Sequence, residues 1–215
     1  MDRFAVTLRL GSPLVTGGGY MTLDALLAAI LFDSGASVEE AHTQIPLQNT
    51  QGLWHGSAAV YETLEVGRQA FVANLRANHD LDPSLVAKNK QGQIHTKLSL
   101  SRRREFGAVM NGYHYLVAEA VTWYGEGNAV QVENLLRSVR FIGKRRASGF
   151  GEVKAIELTE AESDGVVSVF GEPLRPVPLE LFTGDKSSIR GDAAWRPAYW
   201  RPENRAICYL PAPNG

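Results

Sequence analysis

The sequence predicts an α+β fold whose elements follow the order β-α-β-β-α-β. Three observations predict it: an alternating strand at the start of the chain, an apolar helical stripe after the first turn-rich loop, and a strand-helix-strand pattern between residues 109 and 158. This order is typical of the ferredoxin-like (RRM-like) fold, in which two helices pack on one face of a four-stranded antiparallel sheet. The other face of such a sheet is available to a partner.

The first strand and the first helix are predicted from the periodicity of residues 3–35. The segment "RFAVTLRL" alternates apolar and polar side chains with the period of a half-buried strand. Thr22 is a suitable N-cap and Gly35 a suitable end for the helix that follows. Its apolar stripe consists of Leu23, Leu26, Leu27, Ile30 and Leu31. A second strand is predicted over 52–64.

The later elements are predicted from composition and capping. Residues 109–124, "VMNGYHYLVAEAVTWY", are rich in aromatic and β-branched side chains and predict a long third strand. Asn128 can cap a helix over 129–142. The segment "EVKAIEL" (152–158) predicts the fourth strand.

These elements predict one main domain with two additions. The ferredoxin-like domain covers residues 1–160, and a basic insertion lies at about 65–108, between the second and third strands. A C-terminal extension over 161–215 is expected to pack on this domain.

Composition restricts the class of protein. The chain has 215 residues, 44% of them hydrophobic, and the single Cys208 excludes an intramolecular disulfide. The five histidines do not have the spacing of zinc ligands, so neither a metal nor a cofactor is expected. The longest apolar stretch, residues 25–32, is much shorter than a membrane span. We therefore expect a cytoplasmic protein without a membrane partner.

Charge is segregated along a chain whose formal net charge is only −1. Residues 137–154 carry a local net charge of +5, residues 76–108 carry +4, and the remainder sums to −10. Two basic segments on an acidic body are typical of a protein that binds a polyanion. Solvated loops without a ligand are the alternative.

The basic loop between the last predicted helix and strand has a composition suited to phosphodiesters. It lacks the Lys-Ser/Thr pair of a Walker loop and the third glycine of a Rossmann fingerprint, because Glu152 and Lys154 stand there. Its glycines allow close backbone approach, its cations supply charge, and its Ser and Phe offer a hydroxyl and a stacking face. Phe150 can instead anchor the loop in the core. The candidate RNA-binding residues are Gly143, Lys144, Arg145, Arg146, Ser148, Gly149, Phe150 and Gly151.

The segment "GKRRASGFGEV", placed after a helix and before a strand, resembles the signature of the RAMP superfamily of CRISPR RNA-binding proteins. Within that superfamily, "LDALLAAILF" after a glycine-rich turn, together with the tail segments "LRPVPLELF" and "WRPAYW", is most similar to the handle-binding (five-type) subunit of type IV CRISPR effector complexes.

The resemblance implies a non-catalytic subunit of a ribonucleoprotein. Such a subunit binds the 5′ handle of the CRISPR RNA and caps the filament of backbone (seven-type) subunits. It also contacts the large subunit and helps form the end that reads target DNA near the protospacer-adjacent motif. The insertion would then be the thumb that presses on the guide, with candidate phosphate contacts from Lys97, Arg102, Arg103 and Arg104.

Two enzymatic alternatives remain. Some RAMP relatives cut CRISPR RNA without metal by using a histidine as general acid or base, and His42, His55 and His114 are candidates here. No histidine is visibly paired with a second catalytic group in the sequence. A metabolic enzyme on the same fold lacks support, because there is no nucleotide loop, metal-ligand cluster or Gly-x-Ser-x-Gly motif.

The C-terminal segment "AWRPAYWRPENRAICYLPAP" alternates aromatic residues with arginines. Such rings can stack on bases. The favoured interpretation is that they pack the tail onto the domain or onto a neighbouring subunit.

Overall fold

The computed structural model describes residues 2–73, 88, 90–93 and 109–212. They belong to two compact units, one formed by Met1–Val66 with Tyr115–Gly215 and the other by Gly67–His114. The strands are β1 (Asp2–Leu10), β2 (Asn49–Thr50), β3 (Leu53–Trp54), β4 (Glu65–Ala73), β5 (Val109–Val117), β6 (Ala120–Gly127), β7 (Val153–Glu160), β8 (Val177–Pro178), β9 (Arg190–Ala194) and β10 (Arg205–Tyr209). The helices are α1 (Leu23–Asp33), α2 (Val38–Thr43) and α3 (Ala129–Leu136).

The main sheet of the first unit has the order β6-β1-β7, and both pairs of neighbours are antiparallel. Phe4, Val6 and Leu8 of β1 are buried, while the residues between them face partly toward solvent. The sheet and its helices make a mixed α/β arrangement, in agreement with the predicted α+β class.

The predicted second strand, 52–64, is not a regular strand. Only Leu53–Trp54 forms β3, which pairs with β2. Beyond it, isolated bridges join Gly56 to Gly125 and Val60 to Thr122, so this segment runs beside β6. Other backbone groups of the segment form hydrogen bonds outside β6. For example, the Ala59 amide donates to the Met21 carbonyl at 2.8 Å. A segment that divides its hydrogen bonds among several neighbours cannot form one continuous ladder.

The predicted third strand, 109–124, is divided into β5 and β6. The chain is interrupted at Ala118 and Glu119, and the Glu119 carbonyl accepts a hydrogen bond from the Leu10 amide at 2.9 Å. The segment expected to begin the insertion opens with a strand, β4, which pairs with β5.

The helices begin where the sequence predicts, but α3 is shorter than predicted. Asn128 caps α3 by accepting a hydrogen bond from the Gln131 amide at 3.1 Å. Ser138 then bonds the free carbonyl of Leu135, and the helix ends at Leu136 instead of continuing to 142. The short α2 was not predicted, although Ser37 and Glu40 form a capping box that the sequence displays. None of the helices in the described part of the chain is long and apolar enough to cross a membrane.

Two apolar cores lie in the first unit. The larger one packs α1 and α3 against the main sheet around Trp123, which is fully buried. The smaller one belongs mainly to the C-terminal segment, where β8, β10 and β9 form a separate sheet. Cys208 is buried in this second core, and burial raises the pKa of its thiol to about 12.

Candidate nucleic-acid interface

The two ends of the basic loop, residues 143–151, lie next to each other. Residues 141–142 pair there with residues 151–152, and we call this paired region the neck of the loop. The Ile142 amide donates to the Gly151 carbonyl at 2.9 Å, and Phe141 bridges to Glu152. The loop then lies on the first loop of the chain, because the Gly151 amide bonds Pro13 at 2.8 Å and the Lys144 amide bonds Val15 at 2.7 Å. Two glycine-rich loops thus lie side by side.

The loop glycines have different structural roles. Gly143 and Gly151 have φ values of +76° and +72°, and a Cβ at Gly143 would lie 2.6 Å from the Val15 carbonyl oxygen. A Cβ at Gly151 would overlap the Ile142 carbonyl. Gly149 also has a positive φ, +85°, but no atom of the described residues lies within 4 Å of its Cβ position. The first two glycines therefore allow the neck to close, whereas Gly149 lies at an open surface.

The cations of the loop are placed at its surface. Lys144 and Arg146 are exposed, and the Lys144 ammonium lies near Gly17 of the first loop. Arg145 adopts a left-handed backbone with φ of 60°, which is uncommon for a residue with a side chain. Arg146 pairs with Asp33 at 3.5 Å, and both side chains are more than half exposed.

Acidic side chains neutralise part of this basic segment. Arg137 pairs with Glu133 at 2.8 Å, and Lys154 pairs with Glu152 at 2.7 Å. Glu152 is already included in the net charge of +5 counted for residues 137–154, but Glu133 is not, so this count overstates the charge offered to a ligand. The sequence count could not include Glu133 and Asp33, because they lie outside the segment.

Ser148 and Phe150 complete the set of predicted loop residues. Ser148 is exposed in a short 3-10 turn, Arg146–Ser148, and its amide bonds the Arg145 carbonyl at 2.8 Å. Phe150 is half-buried, with its ring 5.9 Å from that of Tyr115. This contact anchors the loop, as the sequence analysis allowed, and leaves less of the ring for stacking on a base.

A cleft of about 660 Å³ lies between the basic loop and the end of α1. Arg140 and Arg146 line one side, and Asp33 lies across from them on the helix. The apolar part of the lining includes Leu26, Ala29, Ile30, Val139 and Phe141. The cleft is therefore lined by one cation of the basic loop, Arg146, and by Arg140 from the segment before it.

The histidines considered as catalytic groups occupy unrelated surroundings. His42 packs against Trp200 with ring centroids 5.7 Å apart, and burial lowers the pKa of its imidazole. His55 bonds Thr50, and its pKa is lowered by burial although Asp164 opposes that shift. His114 lies on β5, in the second compact unit.

The predicted thumb contacts Lys97, Arg102, Arg103 and Arg104 lie outside the described residues.

A buried ion pair that was not predicted from the sequence fixes the C-terminal segment. Arg175 and Asp24 are both fully buried and lie 3.1 Å apart. The guanidinium also donates to three backbone carbonyls, those of Trp54, Gly56 and Trp195, at 2.5–2.9 Å. A charged residue inside the apolar "LDALLAAILF" helix was the available signal.

Tyr199 connects this ion pair to the N-terminal end of α1. Its hydroxyl donates to Asp24 at 2.5 Å and accepts from Thr22 at 2.8 Å. Burial by itself lowers the pKa of Arg175. The interactions of its guanidinium with Asp24 and Tyr199 raise the pKa by more, so the pKa lies above its usual value. Burial also raises the pKa of Tyr199.

Trp195 is buried as well, so the rings of Tyr199 and Trp195 pack the tail onto the domain and are not available to stack on bases. Trp200, in contrast, is 71% exposed.

The described chain is thus a mixed protein of helices and antiparallel sheets, with an exposed basic loop framed by glycines. A family model described as CRISPR type IV associated protein Csf3 matches residues 2–211. The chain therefore belongs to this family, which is the five-type subunit of type IV CRISPR systems. No curated protein matches the chain.

Proposed function

We propose that this protein is a non-catalytic CRISPR RNA-binding subunit that holds the 5′ handle of the guide in its basic loop. The single observation that carries the proposal is the loop itself. Gly143 and Gly151 close its neck, and exposed Lys144 and Arg146 lie at its surface. Membership of the type IV CRISPR-associated family supports a role for this loop in a CRISPR complex.

The geometry suits a phosphate backbone better than a compact ligand. Main-chain groups at Gly149 are open to close approach, because no described residue occupies the space where a side chain would lie. The Arg146–Asp33 pair is long and solvent-exposed, so it can exchange for an RNA phosphate at little cost. Arg140 extends the cationic surface into the cleft beside α1.

The proposed fold is the ferredoxin-like arrangement of the RAMP superfamily. Its support is the strand order β7-β1-β6, extended by the irregular segment 56–60 beside β6. Both α1 and α3 pack on the buried face of this sheet. The opposite face carries polar pairs such as Thr7 with Thr122, at 2.9 Å.

In the complex, the protein would cap the filament of seven-type backbone subunits and contact the large subunit. Target DNA near the protospacer-adjacent motif would be read at this end. The basic insertion would act as the thumb, with Lys97 and Arg102–Arg104 facing the guide. These roles rest on the family and on the charge of the insertion.

RNA affinity and its salt dependence test the loop. The variant Arg145→Asn with Arg146→Gln removes two charges, and asparagine tolerates the left-handed backbone at position 145. For single-stranded RNA, log affinity falls by about 0.7 per neutralised phosphate for each unit of log salt, so the slope should flatten by roughly 1.4. Binding of CRISPR repeat RNA at several salt concentrations measures this slope.

The matched control is Lys186→Ala with Arg205→Gln, which also removes two charges. Arg205, like Arg146, pairs with a surface carboxylate, although its bonds to Asp192, at 2.5 Å and 3.0 Å, are shorter than the 3.5 Å contact of Arg146 with Asp33. An equal loss of affinity and slope in the control would mean diffuse electrostatic binding and no special role for the loop.

The non-catalytic role predicts that bound repeat RNA stays intact. Incubation with the protein for hours, in EDTA or in magnesium, should yield no specific fragment on a denaturing gel. Cleavage at one phosphodiester that disappears in His42→Ala, His55→Ala or His114→Ala would instead establish the endoribonuclease alternative.

A further inference from the structure

Three potential metal ligands meet at the end of the main sheet. His55 follows β3, Glu126 lies near the end of β6, and Asp164 follows β7. One ligand atom of each lies within 4.8 Å of the ligand atoms of the other two. All three side chains are partly buried.

Close packing of three glycines brings these residues together. Gly56, Gly125 and Gly165 each adjoin one of the three, and a Cβ at Gly165 would lie 3.0 Å from the Cα atoms of both other glycines. Gly165 also has a φ of +83°, a conformation that side chains disfavour. The backbone is therefore shaped so that the three potential ligands face a common point.

Each of the three side chains is oriented by a contact that leaves another atom for a ligand. Asp164 Oδ1 accepts hydrogen bonds from the Val166 and Val167 amides at 2.8 Å and 3.1 Å. Glu126 Oε2 accepts from Arg3 at 3.1 Å. His55 Nε2 lies 2.9 Å from the Thr50 hydroxyl. Such outer contacts are typical of metal ligands, because they fix the orientation of the coordinating atom.

Among the described residues, the remaining ring nitrogen of His55 has no hydrogen-bond partner. Nδ1 is buried and lies 3.7 Å from Asp164 Oδ2, which is too long for a hydrogen bond. Two atoms bound to one Zn²⁺ at about 2.1 Å in tetrahedral geometry lie roughly 3.4 Å apart. The observed separation is thus close to that of two ligands of one ion.

We propose that His55, Glu126 and Asp164 bind one divalent transition-metal ion of the Zn²⁺ class, which joins the loop after β3 to the end of β6 and the loop after β7. One imidazole and two carboxylates suit Zn²⁺, Mn²⁺ or Co²⁺, whereas Mg²⁺ and Ca²⁺ prefer oxygen ligands alone. The ion would fasten the start of the C-terminal segment to the sheet.

This site is independent of the proposed RNA-binding loop. In the register of β1, Arg3 pairs with Glu126 at one end, and Leu10 pairs with Val153 at the other. Seven residues of strand separate these ends, a length of roughly 23 Å at about 3.3 Å per residue. Loss of metal binding and loss of RNA binding can therefore be measured separately.

Metal titration of the full chain tests the proposal. The protein is stripped with EDTA, exchanged into metal-free buffer and titrated with Co²⁺, whose visible absorption reports an imidazole-carboxylate site. We expect one Co²⁺ per chain, displaced by Zn²⁺, and a higher midpoint of thermal unfolding with Zn²⁺ than with Mg²⁺. Absence of Co²⁺ absorption and of any Zn²⁺-dependent shift would overturn the proposal.

Isosteric variants locate the ion. Asp164→Asn keeps an Oδ1 acceptor for the two amides, and Glu126→Gln keeps an acceptor for Arg3, so both should fold. Each should weaken Zn²⁺ binding at least tenfold, as should His55→Gln. Glu157→Gln is the control, because Glu157 also pairs with an arginine of β1, at 2.9 Å. Binding that is unchanged in all three ligand variants would place the ion elsewhere and refute the site.

Discussion

Arg175 and Arg146 place the same functional group in opposite surroundings. Arg175 is fully buried, and its two terminal nitrogens bond one carboxylate, one tyrosine hydroxyl and three backbone carbonyls. Arg146 is 55% exposed and makes one 3.5 Å contact with Asp33. The difference teaches that an arginine of this chain indicates a ligand-binding site only where it can exchange its protein partner for the ligand.

The energetic consequence follows from desolvation. A buried guanidinium that loses its carboxylate leaves an uncompensated charge, whereas an exposed one returns to water at almost no cost. Arg175 should therefore govern folding with no direct effect on RNA. Arg145 and Arg146 should govern RNA binding with little effect on folding.

The largest expected effect is that of Arg175→Met. It leaves the buried Asp24 carboxylate without its cation, removes a donor from three carbonyls and should destabilise the fold by about 3–5 kcal/mol. Chemical denaturation followed by circular dichroism measures the loss. The double variant Asp24→Leu with Arg175→Met removes both charges and should recover part of it. A single variant as stable as the parent would contradict the structural role assigned to this ion pair.

An intermediate effect is expected at the neck of the basic loop. Gly151→Ala introduces a Cβ that overlaps the Ile142 carbonyl at a φ of +72°, and should cost about 3 kcal/mol. Gly149→Ala meets only backbone strain, since its Cβ position is open, and should cost about 1 kcal/mol. Unfolding free energies of the two variants check this order. Equal costs would mean that the neck is not tightly closed.

The smallest effect on stability is expected for Arg145→Asn with Arg146→Gln. Arg146 is exposed and Arg145 partly exposed. Charges at the surface contribute little to stability, so the unfolding free energy should change by no more than about 0.5 kcal/mol while RNA affinity falls. Thermal unfolding and RNA binding are measured on the same preparation. A large loss of stability would show that these arginines serve the fold as Arg175 does, and would remove the distinction between the two regions.

Local patterns predicted several elements well. The alternation in residues 3–10 predicted β1, Asn128 predicted the start of α3, and Gly35, with its φ of +104°, follows the end of α1. These signals are local, because a strand period or a helix cap involves residues close together in sequence. The basic loop was visible for the same reason, since its glycines and cations are contiguous.

Other features could not be obtained from local patterns. The segment 52–64 has the composition of a strand, but Met21, Leu174 and β6 share its hydrogen bonds. Thr22 was expected to cap α1, yet its side chain makes no capping bond and donates to Tyr199. In both cases a distant residue offers a partner that competes with the local one.

The sequence by itself determined the alternating strand, the Asn128 cap of α3, the charge segregation and the glycine-framed loop, because each depends on neighbours along the chain. Only the tertiary structure decided that Asp24 meets Arg175, that Asp33 reduces the charge of the basic segment, and that His55, Glu126 and Asp164 converge. The physical reason is sequence separation. Asp24 and Arg175 are 151 positions apart, and no local period relates them until the chain has packed.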